Sequence, residues 1–275
     1  MQRNKVIGLR LKLKQSSRFY YLWRFIRAAA LIVAILWFIS YTIQRYYIFH
    51  WRELWELLPL FHRGLSLTVV ISVISMVFSI GLGLIIALGR LSRFTTLSDL
   101  SAVYVHSFRN LPALVVILLF YFGIGTAIRL DRVVIFGLRV REALLWGIIA
   151  LSFFEAAFIA EIFRGGIRSI HREQTEAARS LGMTYLQAMR YVILPQAFRN
   201  IIPPLTGELI ALVKQSALLM VIGVEELTLV VRQLISGRGI ALEAFTFLAL
   251  YYLMLTVPLS MFSQYLERRL AVDRG

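Results

Sequence analysis

Residues 161–195 read EIFRGGIRSIHREQTEAARSLGMTYLQAMRYVILP. This is the one long segment between apolar runs that is both polar and helix-forming. Its marks are Glu176-Ala177-Ala178, then Gly182, then Val192, Leu194 and Pro195. The pattern predicts two short helices with Gly182 between them, because glycine tolerates the left-handed conformation that ends a helix. Leu194-Pro195 is expected to stop the second helix before the next apolar run. The two alanines present little bulk, so a partner surface can approach closely. Glu176, with Arg172, Arg179 and Arg190 around it, offers that partner charges. An E-A-A triplet alone is a weak signal; with the spaced Gly, Val and Leu-Pro it reads as a cytoplasmic coupling loop over 164–195, gripped by an energy-supplying partner.

Composition sets the surroundings of this loop. The chain has 275 residues, is 59% hydrophobic and 16% charged, and has a mean hydropathy of +0.74. Soluble globular chains sit near half apolar, so this is an all-α integral membrane protein. The net charge of +15 suggests nucleic acid only where basic residues form a soluble face. Here they fill the gaps between apolar runs, which points to topology and membrane lipid instead. There is no cysteine, which excludes disulfides and thiolate metal sites. His50, His62, His106 and His171 lack metal-ligand spacing.

Six apolar runs are long enough to cross a bilayer: 28–48, 65–89, 101–127, 143–163, 198–222 and 242–266. The arm 1–27 carries eight basic residues and no acid, which places the N-terminus in the cytoplasm, and six spans return the tail 267–275 to the same side. Gaps assigned to the inner face then carry 20 basic residues and those outside 9, in the sense of the positive-inside rule. The arginines at 129, 132, 139 and 141 run locally against it.

Several stretches qualify the spans. Residues 51–64, WRELWELLPLFHRG, place Trp51, Leu54, Trp55 and Leu58 on one face, as a short interfacial helix would. Ser75, Ser79, Gly83 and Ala87 form a small-residue stripe, suited either to a dimer or pore-lining face or to packing within one subunit. Pro112 favours a bend near the cytoplasmic end of the third span, with Arg109 and Asn110 at the inner interface. Breaks at Pro203-Pro204 and Pro258 suit spans that line a polar cavity. Glu155, Glu208 and Lys214 lie inside spans, where an ionisable group costs about 2.5–3.5 kcal/mol and marks a functional candidate. Glu208 falls near the midplane and shares a face with Gln215, while Lys214 points about 100° away. Glu208 with Lys214 is either a pair meeting both ends of a zwitterion or an internal ion pair holding helices together. Glu161 and Arg164, three apart, are expected to pair as structural or coupling residues. There is no G-x-x-x-x-G-K-[ST] loop and no Gly-Lys pair, so the chain is no enzyme and nucleotide hydrolysis falls to a partner.

EAARSLG followed by VILP resembles the EAA loop of ATP-binding-cassette importer permeases. GLSLTVVISVISMVFSIGLGLIIALGRLS, FRNLPALVVILLFYFGIG, AAFIAEIFRGGIRSI and ELIALVKQSALLMVIGVEEL extend the resemblance to the polar amino acid uptake (histidine/glutamine/glutamate-type) subfamily. It covers about 64–266, leaving the arm 1–27 and the segment 28–63 as additions. The resemblance implies an importer-type permease fold in a bacterial cytoplasmic (inner) membrane, working by alternating access. It implies an ATPase dimer that holds ATP and Mg, a second permease copy or related permease, and a periplasmic or tethered amino-acid-binding protein. It assigns Arg172, Glu176, Ala177, Ala178, Arg179 and Gly182 to the ATPase contact. In the subfamily a Lys-Asp-Thr-Ser-Leu-like motif follows a Glu and contacts amino acid in some members; here Glu208 precedes Lys214-Gln215-Ser216-Ala217-Leu218. Gln in place of Asp removes an anion that a basic substrate would want, which leans the expectation toward a neutral or acidic amino acid. Glu155 has no counterpart in that pattern and joins the substrate candidates through its position alone. The alternative from another class is an energy-independent channel or an ion-coupled secondary carrier that uses Glu155, Glu208 and Lys214 as its relay.

Overall fold

The small-residue stripe of the second expected span finds its partner inside the subunit. In the computed structural model, Ser75, Ser79 and Ala87 are fully buried. A Cβ added to Gly83 would come within 2.7 Å of Ile159 Cγ2, so Gly83 is where two helices touch through their backbones. Ser79 Oγ donates to Ser75 O (2.7 Å) and to Ser152 O (3.1 Å) across the same seam. Of the two readings of the stripe, packing within one subunit is the one observed.

The structure describes residues 51–128, 140–236 and 239–270, the backbone at 134–135 and 138–139, and isolated positions between 23 and 50. The chain divides into a unit of residues 1–50 and a unit of residues 51–275. In the first, the described positions between Trp23 and Arg45 are helical, and Trp37 stacks on Tyr41 one turn away at 5.7 Å. Most of the basic arm 1–27, part of the expected span 28–48, Arg129, Arg132, Arg238 and Arg274 lie outside the described residues.

Among its described residues the second unit consists of helices and their connections, with one hairpin of two-residue strands, β1 (Val134–Ile135) against β2 (Leu138–Arg139). Its helices are α1 (Trp51–Arg90), α2 (Thr95–Asn110), α3 (Ala113–Leu118), α4 (Glu142–Arg168), α5 (Arg172–Ser180), α6 (Tyr185–Ala188), α7 (Leu194–Gln215), α8 (Leu227–Ile235) and α9 (Ala241–Leu270). Wide π-type turns continue α3 over Leu119–Gly125 and join α6 to α7 over Met189–Ile193. A tighter 3₁₀ segment, Ser216–Ile222, continues α7. Among the described residues, four runs are long and apolar enough to cross a membrane: α1, α4, the run Tyr185–Ile222, and α9.

Three expectations change and one holds. Residues 51–63 are not a separate interfacial helix; they are the first third of α1, which at 40 residues is about 60 Å long. Leu54 and Phe61 bury themselves against Leu227, Val231 and Tyr251, and such packing on either side of Pro59 holds the helix continuous through the proline. The bend expected at Pro112 in the run 101–127 is observed. Proline drives the residue before it out of the helical region, so Leu111 is extended (φ −89°, ψ 143°). The chain there turns by 109° between α2 and the helix 113–125, making the fifth candidate span a bent pair. Pro203, Pro204 and Pro258 do not break their helices; each lies inside continuous α7 or α9. Leu194-Pro195 does not stop a helix either. Pro195 falls in the first turn of α7, where a missing N–H costs least, just after a π turn that widens the backbone ahead of it.

Three apolar clusters hold the bundle together. One joins α1, α3 and α4 to the 3₁₀ segment through Ile71, Val116, Trp146, Leu151 and Leu219. A second joins α1, α2, α4 and α7 through Ile86, Val105, Ile159, Ile201 and Leu212. The third packs the start of α1 on α8 and α9.

Candidate functional site

The loop of 164–195 is built by three local devices. Ala178 O accepts from Met183 N (3.2 Å) and Arg179 O from Gly182 N (3.0 Å), the paired bonds that close a helix over a left-handed residue. Gly182 is that residue, at φ +83°. Thr184 Oγ1 then accepts from Gln187 N (3.3 Å) while Gln187 Oε1 accepts from Thr184 N (2.8 Å), a reciprocal cap that starts α6. The expected helix, Gly182, helix order is therefore observed.

The side chains divide differently from expectation. Arg172, Glu176, Ala177 and Arg179 are exposed, but Ala178 is buried in its own chain. Only Ala177 of the two alanines is open to a partner, because α5 folds back on the π turn and needs a small residue where they meet. Glu176 Oε1 lies 3.9 Å from Arg172 Nε, with both side chains largely in solvent; such a pair is worth little. Beside them, Leu181 and Leu186 are 82% and 76% exposed. Apolar side chains clustered at a polar loop mark a contact surface.

A polar cluster lies between α4 and α7. Glu155 on α4 is fully buried and faces Glu208 and Gln215 on α7, while Arg109 at the end of α2 acts on Glu208. Both carboxyl oxygens of Glu155 and Oε1 of Gln215 are buried without a hydrogen-bond partner. A buried acceptor left unpaired costs about 1–3 kcal/mol, more when charged, so this arrangement suits a visiting donor. The Arg109 guanidinium lies 5.5 Å from the centre of the Phe158 ring, a cation–π contact that holds it against α4.

Not every candidate joins this cluster. Lys214 is exposed and forms no ion pair among the described residues, so the internal Glu208–Lys214 ion pair is not present; Lys214 points about 100° away from Gln215, its neighbour on the helix. Ser216 is buried with its hydroxyl donated to Val213 O (2.8 Å). Arg109 is the member that the sequence reading missed. The sequence reading expects Arg109 at the inner interface; the backbone turn at Leu111-Pro112 also brings it beside α4, near Phe158. Glu161 does pair with Arg164, whose Nε lies 3.1 Å and 3.0 Å from its two oxygens, and it also meets Arg90 Nη2 at 3.3 Å. That carboxylate ties the end of α1 to α4.

Residues 79–272, from the middle of α1 through α9, match the model of the family described as binding-protein-dependent transport system inner membrane component. The chain belongs to that family. The permease is 39% identical over 217 residues to the probable glutamine ABC transporter permease protein GlnM of Bacillus subtilis (strain 168), covering 79% of this chain and 96% of that one. It is 33% identical to the glutamine transport system permease protein GlnP of Escherichia coli (strain K12), over 82% and 99% of the two chains. Among solved structures, a chain of an amino acid ABC transporter crystallised with histidines superposes with a TM-score of 0.72 at 34% identity, over 81% of this chain and 99% of that one. The permease is thus a membrane-embedded transport subunit with the importer-type fold, not an enzyme.

Proposed function

We propose that this permease moves polar amino acids inward, driven by ATP that partner subunits hydrolyse. Relatives named for glutamine, and a glutamate/aspartate import permease protein from Escherichia coli O157:H7 at 34% identity, support a neutral or acidic amino acid. The observation that carries the substrate reading is the unpaired Glu155 carboxyl facing Glu208 and Gln215 inside the membrane. An α-ammonium group supplies the missing donors to Glu155 and Glu208, and Arg109 offers the carboxylate a counter-charge. Gln215 has both a donor and an acceptor for a side-chain amide or carboxyl. Lys214 and Ser216 are placed for contact only after a rearrangement of α7.

The coupling reading rests on α5, Gly182 and α6. An ATPase dimer in the cytoplasm docks on Glu176, Ala177, Arg179 and the exposed Leu181 and Leu186. ATP closes that dimer, the loop moves with it, and two paired permeases open outward toward a binding protein; hydrolysis returns them. This is one two-state element biased from a second site. The chain is then multi-pass, with both termini in the cytoplasm. In proteoliposomes holding the permease with its ATPase, Gly182→Pro or Glu176→Lys is expected to cut uptake at least tenfold while membrane abundance stays unchanged. Proline is held near φ −65°, far from the +83° at this position. Wild-type uptake by both variants would sink the assignment.

A further inference from the structure

A groove of about 330 Å³ opens at the end of the bundle away from the coupling loop. α1 contributes Arg63, Ser66, Leu67 and Val70 to it, and Arg141 and Glu225 complete its rim. Arg63, a third of the way along α1, and Arg141, just before α4, each lie 27 residues before the arginine that ends that helix, Arg90 and Arg168. That spacing is about 40 Å along a helix, the thickness of a bilayer with its headgroups. The two guanidinium groups therefore sit at the level of lipid headgroups.

The charges there do not balance. Arg141 Nη1 bonds Glu225 Oε1 at 2.8 Å, while Arg63 is exposed and has no ion-pair partner among the described residues. Leu67, Leu144 and Val224 below the rim belong to a packed apolar cluster, so the groove leads no deeper into the bundle. Its open side runs along α1 instead. Positions 63, 66, 67 and 70 form one helical face, and exposed Val73 and Val77 (51% and 63%) continue it. The face is cationic at the top and apolar for about 15–20 Å below, which is the shape of one leaflet.

We propose that this groove binds an anionic phospholipid of the outer leaflet, with its phosphodiester on Arg63 and Arg141 and an acyl chain along Val70, Val73 and Val77. Guanidinium groups match the paired oxygens of a phosphate, and the apolar stripe matches a chain that a free anion lacks. A zwitterionic headgroup adds an ammonium that the two arginines repel.

The test is a titration of the full-length chain in a non-ionic detergent, without ATP, read by native mass spectrometry. Phosphatidylglycerol, phosphatidylcholine, inorganic phosphate and glutamine are the probes. The wild type is expected to retain phosphatidylglycerol at least tenfold more tightly than phosphatidylcholine. Arg63→Gln is expected to remove that preference without lowering the melting temperature of the lipid-free protein. Glu225→Gln frees Arg141 and is expected to tighten phosphatidylglycerol binding, the opposite sign. Equal binding of the two lipids, or of phosphatidylglycerol to wild type and Arg63→Gln, overturns the proposal. So does displacement of the lipid by inorganic phosphate, which marks a free-anion site, or by glutamine, which marks a substrate vestibule. None of these outcomes bears on coupling to ATP.

Discussion

Gly165 and Gly166 are chain neighbours with opposite surroundings. A Cβ on Gly166 would run into the side chain of Ile201 on α7, while one on Gly165 meets nothing within 4 Å. Gly166 therefore exists for helix contact, and Gly165 does not. Gly166→Ala is expected to cost about 1–3 kcal/mol through overpacking. Gly165→Ala is expected to be neutral or to gain up to about 1 kcal/mol of helix propensity. Thermal unfolding of the purified chain in detergent checks both; equal melting temperatures would mean that α4 and α7 are not packed here as described. The same scale separates Glu155 from Glu161. Each is a carboxyl on α4, but Glu161 has Arg164 and Arg90 around it, whereas Glu155 faces only Glu208 and Gln215. One is a fastener and the other has no cation to fasten to.

At the scale of elements, α6 is the shortest of the described helices, with four residues and a single reciprocal cap to start the run it opens. Thr184→Ala removes an acceptor worth about 0.5–2 kcal/mol. It is expected to raise amide hydrogen exchange at 185–190 severalfold with no change in α4, measured by mass spectrometry on the intact protein. Unchanged exchange there would show that the cap does not hold the loop. The helix–glycine–helix order of this region was legible from Gly182 and the polar run around it, because both are local signals. The burial of Ala178 was not, since it depends on how α5 folds back. Some of the prolines were misread for a related reason. The bend expected at Pro112 is present, as a 109° turn of the chain, whereas Pro203, Pro204 and Pro258, expected to break their spans, break nothing. A proline's intrinsic cost is local, but whether a helix survives it is decided by neighbours that the sequence does not place. Glu208 and Gln215 shared a face by spacing alone; that Glu155 and Arg109 meet them needed the packing of three helices.

For the whole molecule, the decisive contrast is between an ATP-driven permease and a carrier driven by ions. The intramembrane charges alone fit either, while the proposed coupling role of the loop 164–195 favours the first. In cells, depleting ATP while holding the ion gradients is expected to bring uptake to background, and an uncoupler applied with ATP held constant is expected to leave most of it. The reverse pattern would assign Glu155 and Glu208 to an ion relay. The long run Tyr185–Ile222 gives this prediction a mechanical side. Because no loop separates α6 from the residues around Gln215, the chain here is a single screw thread from the proposed coupling loop to the far side of the bundle. Each residue added to or removed from it turns everything beyond by about 100°. Its length is therefore a phase as well as a distance, and one codon lost between 195 and 208 would leave both ends folded yet point Glu208 away from Glu155.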